Sequence, residues 1–254
     1  MRAARVVGTL LLTLTILMTL GATAAAAASP IPLQGPVWTG AQLGTQTSRL
    51  RSVPAPVPWT GTYNVYRAGA FVTQKTDQWC VGASSQMMLN LINGTTDTSY
   101  AAQAALMAYA RAHEIQPTSE PGADPRGWAN TLTHAGAGAY KDQSFSSMDA
   151  ALAFAAKRIL LTGKPVGLLV GLGSHAWVMT GFAANHDPRL TSNYLVSSVY
   201  VSGPLYPMQV AKLGYFDLKP DTRLSRAQMA QVFLPYREPG ALHSWLGAWV
   251  IVAP

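Results

Sequence analysis

The chain has one cysteine, Cys80, in 254 residues, which excludes a disulfide framework and any thiolate zinc cluster. Acids are scarce too. Eleven Asp and Glu stand against 18 Lys and Arg, so the net charge of +7 reflects missing carboxylates more than abundant bases. Charged residues make up 11% of the chain, where roughly 25% is usual. No two carboxylates are paired in a way that suggests glycoside hydrolysis. The bases do not cluster: beyond the first five residues the densest groups are Arg49/Arg51 and Lys157/Arg158. Without a basic stripe to replace phosphate counterions, no nucleic-acid partner is expected, and at most a weak contact with anionic cell-surface polymers. The sequence also lacks a fixed-period repeat, a G-x-S-x-G elbow, an H-E-x-x-H helix and a phosphate-binding loop. No metal or cofactor is expected. Apolar residues, at 49%, are ample for a core.

Residues 1–28 read as a secretory signal peptide. Arg2 and Arg5 precede the apolar run Val6 to Leu20, and Ala24 to Ala28 supplies small residues for cleavage before Ser29-Pro30. The expectation is a secreted protein, with no membrane contact once the signal is cut. Residues 29–60 hold six of the 17 prolines, which cannot sustain helix or sheet ladders. This stretch is a linker, a propeptide or a strap, and residues 61–254 form the domain.

Within that domain helices come first. Apolar spacing predicts a helix over Cys80 to Leu91 and another over Thr98 to His113. Asp124-Pro125 opens a third, which Gly136 closes. A fourth runs from Ser146 to Thr162, with Ser146-x-x-Asp149 at its start and Gly163 and Pro165 after it. Strands follow at Pro165 to Leu172, His175 to Phe182 and Tyr194 to Ser202, then a helix at Ser225 to Leu234 and a strand at Trp245 to Val252. Helices followed by antiparallel strands give an α+β layout.

A lone cysteine in a secreted chain has no disulfide partner and invites oxidation, so its presence asks for a chemical reason. Cys80 follows the loop Thr73 to Trp79 and opens a helix, where unpaired N–H groups and the macrodipole favour thiolate. A thiolate nucleophile needs a base. Of five histidines, His113 and His134 sit at helix ends and His186 lies in a polar loop beside Asp187. His175 begins the apolar strand HAWVMTGF after a Gly-rich turn, which makes it the candidate. Trp79 precedes Cys80, and Trp177 shares a strand face with His175, so both are candidate walls of a substrate cleft. Trp128, Trp245 and Trp249 read as core or sheet anchors.

The segment Gln74-Lys-Thr-Asp-Gln-Trp-Cys80 resembles the active-site motif of papain-like cysteine peptidases. It is most similar to the bacterial branch that processes double-glycine leader peptides, and to that branch's secreted relatives. The strand pair PVGLLVGLGSHAWVMTGF and YLVSSVYVSGP resembles the later half of that fold, and the likeness covers about residues 60–210. It implies a papain-like fold, with an N-terminal helical part packed on an antiparallel sheet. It also implies a thiol peptidase that cleaves peptide or protein substrates by acyl transfer. Cys80 would be the nucleophile, His175 the proton carrier, and Gln74 with the Cys80 backbone N–H the oxyanion donors.

One departure stands out. The resemblance implies an Asp or Asn on the strand after the histidine, orienting the imidazole. If the turn is centred near residue 189, the partner of His175 is about residue 203, and the text Val201-Ser202-Gly203-Pro204 has only Gly203 there. Asp187 lies at the far end of the hairpin, roughly 20 Å away at ~3.3 Å per residue. Asp217 or Asp221 would have to arrive from another segment. The alternative expectation is therefore a weak or inactive peptide-binding or surface-interaction domain on the same scaffold.

Overall fold

The computed structural model describes residues 58–116, 122–208 and 216–254. The expected signal peptide, residues 1–28, and nearly all of the Pro-rich stretch lie outside the described residues. Among those described, no helix is long and apolar enough to cross a membrane.

Local signals account for most helix ends. Helix α1 spans Cys80–Asn93, two residues past the apolar pattern, and stops where Gly94 takes a left-handed conformation and returns its N–H to the Asn90 carbonyl. Helix α2, Tyr100–Ala112, starts where the Ser99 side chain accepts from Ala102 N. In α3, Pro125–His134, the Asp124 side chain accepts from Gly127 N and Pro125 fills the first turn, as its Asp-Pro start predicts. Helix α4 spans Met148–Thr162 and its cap is Ser147, not Ser146; Gly163, at φ 65°, ends it. The last helix, α5, is Arg226–Val232, with a reciprocal Ser225/Gln228 capping box.

The strands are β1 (Thr62–Asn64), β2 (Lys141–Phe145), β3 (Val166–Val170), β4 (His175–Ala184), β5 (Val196–Ser202), β6 (Thr222–Ser225) and β7 (Trp249–Ala253). They form one antiparallel sheet in the order β2-β7-β3-β4-β5-β6, with β1 beside the far half of β4. Helices and strands are therefore less segregated than expected. Strand β1 precedes every helix and β2 precedes α4, whereas α5 ahead of the closing strand β7 is as expected. The sequence KDQSF of β2 hides it: as an edge strand paired along β7 it needs little apolar content.

The sheet separates two cores, and strand alternation assigns side chains between them. Leu168, Trp177 and Met179 join Leu152 and Ile159 of α4 and Met229 of α5 on one face. Leu169, Ala176 and Val178 join Val81 and Met88 of α1, Met107 of α2 and Trp128 of α3 on the other. Two polar clamps fix α1. Buried Ser84 donates its hydroxyl to the Ala176 carbonyl at 3.0 Å. At the other end, buried Asn90 donates to the Ala70 and Asp97 carbonyls, at 3.3 and 2.8 Å. Cys80 lies four residues before Ser84, on the same helix face, so the clamp on Ala176 brings the sulfur beside His175.

Candidate active site

Cys80 sits in the first turn of α1, whose cap residue Trp79 makes no side-chain capping bond and whose first turn holds no acid. The first closing bond is Ala83 N to Trp79 O at 2.9 Å, which leaves the N–H groups of Cys80, Val81 and Gly82 without a preceding helical carbonyl. An anion at this end meets the positive end of the helix macrodipole and no competing carboxylate from the first turn. Half-buried Cys80 and buried His175 both line a cavity of about 310 Å³, together with Gln78, Gly173 and Tyr236.

His175 is buried, and its Nε2 donates to Asp217 Oδ2 at 2.9 Å. A carboxylate only accepts, so the proton on Nε2 is fixed. Asp217 is held in turn by Trp177 Nε1 on Oδ1 and by Leu205 N on Oδ2, each at 2.7 Å. Asp217 leaves the other ring nitrogen, Nδ1, open, and Cys80 is the other side chain whose hydrogen bonding and charge act on the ring. Burial acts to lower the His175 pKa, but the hydrogen bonds and charges of Asp217 and Cys80 outweigh it and raise the value to about 9. The fold thus favours imidazolium, and by reciprocity that cation favours thiolate on Cys80.

The expectation of an empty orienting position at Gly203 is overturned. The irregularities at Met179/Gly181 and Ala183/Ala184 compensate each other, and Val178 pairs with Ser202 as Ala184 does with Val196, about a turn centred one residue later than residue 189. Continued outward, that register sets Gly203 opposite Trp177, not His175. The orienting group comes from Asp217, 42 residues after His175. Gly203 is what admits it: a Cβ there would stand 2.3 Å from Asp217 Cγ and 2.6 Å from Trp177 Nε1. Asp221 goes elsewhere, accepting from Thr180 and Asn64.

The other expected site residues disperse. Trp177 is only 1% exposed and is no wall of the cleft; its indole packs in the α4 core and braces Asp217. Strand periodicity pairs it with His175 but does not say which end of the strand is open. Trp79 rests against Tyr100, with ring centroids 5.1 Å apart, and does not line the cavity either. Gln74 is buried in the loop before α1, its backbone N bound to Pro204 O and its Nε2 to Thr76 O, also away from the cavity lining. His113 and His134 stack on opposite neighbours' sides of the Tyr109 ring at 3.8 and 4.0 Å, well outside the cavity lining.

Tyr236 was not foreseen. It is buried, lines the cavity and packs on Gly173, where a Cβ would come within 2.5 Å of the ring. That glycine has φ 103° and follows Leu172 at φ 63°, so a left-handed turn leads directly into Ser174 and His175. The bond from Arg237 N to Leu172 O, 2.7 Å, ties the Tyr236 segment to the turn.

The brace on Asp217 can be measured. Trp177→Phe removes the N–H from a buried carboxylate and also leaves a smaller ring in the packed core, and is expected to lower unfolding free energy by about 1–3 kcal/mol or more. Urea denaturation with an unchanged m-value checks this; an unchanged midpoint would show that the indole bond contributes nothing.

In comparisons with known proteins, no family model matches the chain and no curated protein matches it.

Proposed function

We propose that this chain is a secreted cysteine peptidase of papain-like fold, acting on peptide or protein substrates through Cys80 and His175. The supporting observation is the buried imidazole held at Nε2 by Asp217, with Cys80 the other side chain whose hydrogen bonding and charge act on the ring. In this reading the thiolate attacks the substrate carbonyl carbon and forms the C–S bond. The resulting oxyanion is met by the Cys80 backbone N–H; Gln74, whose Nε2 donates to Thr76 O away from the cavity lining, would join it only by turning that amide toward the sulfur. Collapse breaks the C–N bond as His175 Nδ1 passes its proton to the leaving amine. Water, deprotonated by the same nitrogen, then cleaves the thioester and releases the carboxylic acid. The non-catalytic alternative drew on the apparent gap at Gly203, and Asp217 occupies that place.

Cys80 is the only thiol in the chain, so alkylation by iodoacetamide reports on it alone. The wild-type protein is expected to alkylate readily at pH 6. His175→Ala should slow this by about tenfold or more and move the onset toward an ordinary thiol, near pH 8.5. Slow wild-type alkylation at pH 6, indifferent to His175, would overturn the proposal.

The pH dependence has a definite sign. The His175 pKa is raised from 6.5 to about 9, so the protonated form needed by the leaving amine is lost as pH rises through about 9. Peptide turnover should show its basic limb there. The stability that His175 contributes is complete below about 6.5 and disappears through the same upper range. Turnover profiles and urea midpoints between pH 6 and 10 check both.

A further inference from the structure

The cavity carries a charge opposite to that of the chain. Among the described residues, its charged lining apart from His175 is Asp77, from the loop before α1, and Glu238, from the segment after Tyr236, with no Lys or Arg. Further carboxylates stand behind its Tyr236 wall. Burial raises the Tyr236 phenol above its usual pKa, and the charges of Glu238, Asp124 and Glu114 add to that rise. Asp124 is locked by backbone donors from Ile115, Gln116 and Gly127, and Arg111 is the cation whose charge reaches Glu114. Elsewhere Asp142, Asp149 and Asp187 are spent on Arg126, Arg226 and Arg189. A chain with eleven acids and a net charge of +7 thus directs several of those acids toward one cavity, around an imidazolium–thiolate pair that is itself neutral overall.

We infer that this cavity selects cationic groups, so that the peptides it cleaves carry a Lys or Arg side chain beside the scissile bond. The inference rests on the peptidase reading for its substrate, though the charge preference can be read without any cleavage. A substrate cation between Asp77 and Glu238 gains two opposite charges in a partly enclosed space, whereas an anion meets two like charges. Glu238, next but one to Tyr236, acts through its charge at the wall, and Asp77 acts from the exposed rim.

Two measurements test this. In the first, Cys80 of the full chain reacts with two methanethiosulfonates of similar size, one bearing trimethylammonium and the other sulfonate, with rates normalised to a small free thiol. The cationic reagent is expected to be favoured by about tenfold or more, and Glu238→Gln or Asp77→Asn should each lower that ratio severalfold. A ratio near one, or one unmoved by both variants, overturns the inference. In the second, peptide amides differing only in Lys, Gln or Glu beside the cleaved bond are compared by kcat/KM, each with a free and an acetylated N-terminus. Lys is expected to exceed Gln by about tenfold and Glu to be poorest, in acetylated peptides as well. A preference seen only with free N-termini overturns the side-chain assignment. Cleavage without charge preference, with a reagent ratio near one, defeats this inference and leaves the peptidase reading intact. A strong reagent ratio with no cleavage of any peptide supports the cation preference and defeats the peptidase reading.

Discussion

Peptide turnover by His175→Ala is expected to fall by about 10⁴-fold or more in kcat/KM, and turnover by Asp217→Ala by about 10²-fold. Removing His175 takes away the imidazole that would carry a proton between sulfur, leaving amine and water, and whose charge supports the thiolate. Asp217 acts one step further back. Its carboxylate fixes the proton on Nε2 and helps hold the imidazolium. Loss of the comparable acid costs ~10⁴ in a serine enzyme, where the alcohol ionises only as it attacks. A thiolate formed before substrate arrives depends less on that support, hence the smaller figure. The variants also differ in pH behaviour. Asp217→Ala should pull the basic limb down from about 9, because one of the interactions that raise His175 is gone. An Asp217→Ala enzyme with unchanged rate and unchanged basic limb would remove Asp217 from the machinery.

The second large effect comes from a single methyl group. Gly203→Ala adds a Cβ at 2.3 Å from Asp217 Cγ and 2.4 Å from Oδ2, atoms that cannot retreat because Leu205 N and Trp177 Nε1 hold them. Gly203 does not have a left-handed backbone, so the clash alone is being tested. The expected result is a loss of about 1–3 kcal/mol in stability from overpacking. Turnover should fall to about the level of Asp217→Ala, because the carboxylate is displaced. A double-mutant cycle makes the test sharp. With Asp217→Ala already in place, Gly203→Ala should cost little further in rate and less in stability, since the atoms it strikes are gone. Additive losses would mean that Gly203 matters for some reason other than room for Asp217.

These two residues also mark where the sequence stopped being legible. Cys80 and His175 could be read because each is announced locally, one by a loop entering a helix and the other by a Gly-rich turn entering an apolar strand. The α3 start was legible for a like reason, through Asp-Pro cap chemistry confined to three or four residues. Asp217 has no such announcement. It reaches His175 from 42 residues away, from the segment between β5 and β6, so counting along the β4–β5 hairpin cannot locate it. Tyr236 is hidden likewise, because its role depends on packing against Gly173 from a distant segment. Trp177 was legible as a neighbour of His175 but not as a buried one, since periodicity gives the face of a strand and not what covers it. Strand β2 escaped because pairing along β7, not its own hydrophobicity, makes it a strand.

The two clamps on α1 have a practical consequence. Ser84 on the Ala176 carbonyl and Asn90 on the Ala70 and Asp97 carbonyls hold the helix at separate points, and neither bond involves the sulfur. The approach of position 80 to His175 is therefore set by the scaffold and does not depend on attraction between thiolate and imidazolium. Cys80→Ala should keep its cleft in working shape while leaving no nucleophile in it. Such a protein is a ready-made trap: mixed with a complex pool of peptides, it would retain uncut those that the active form consumes.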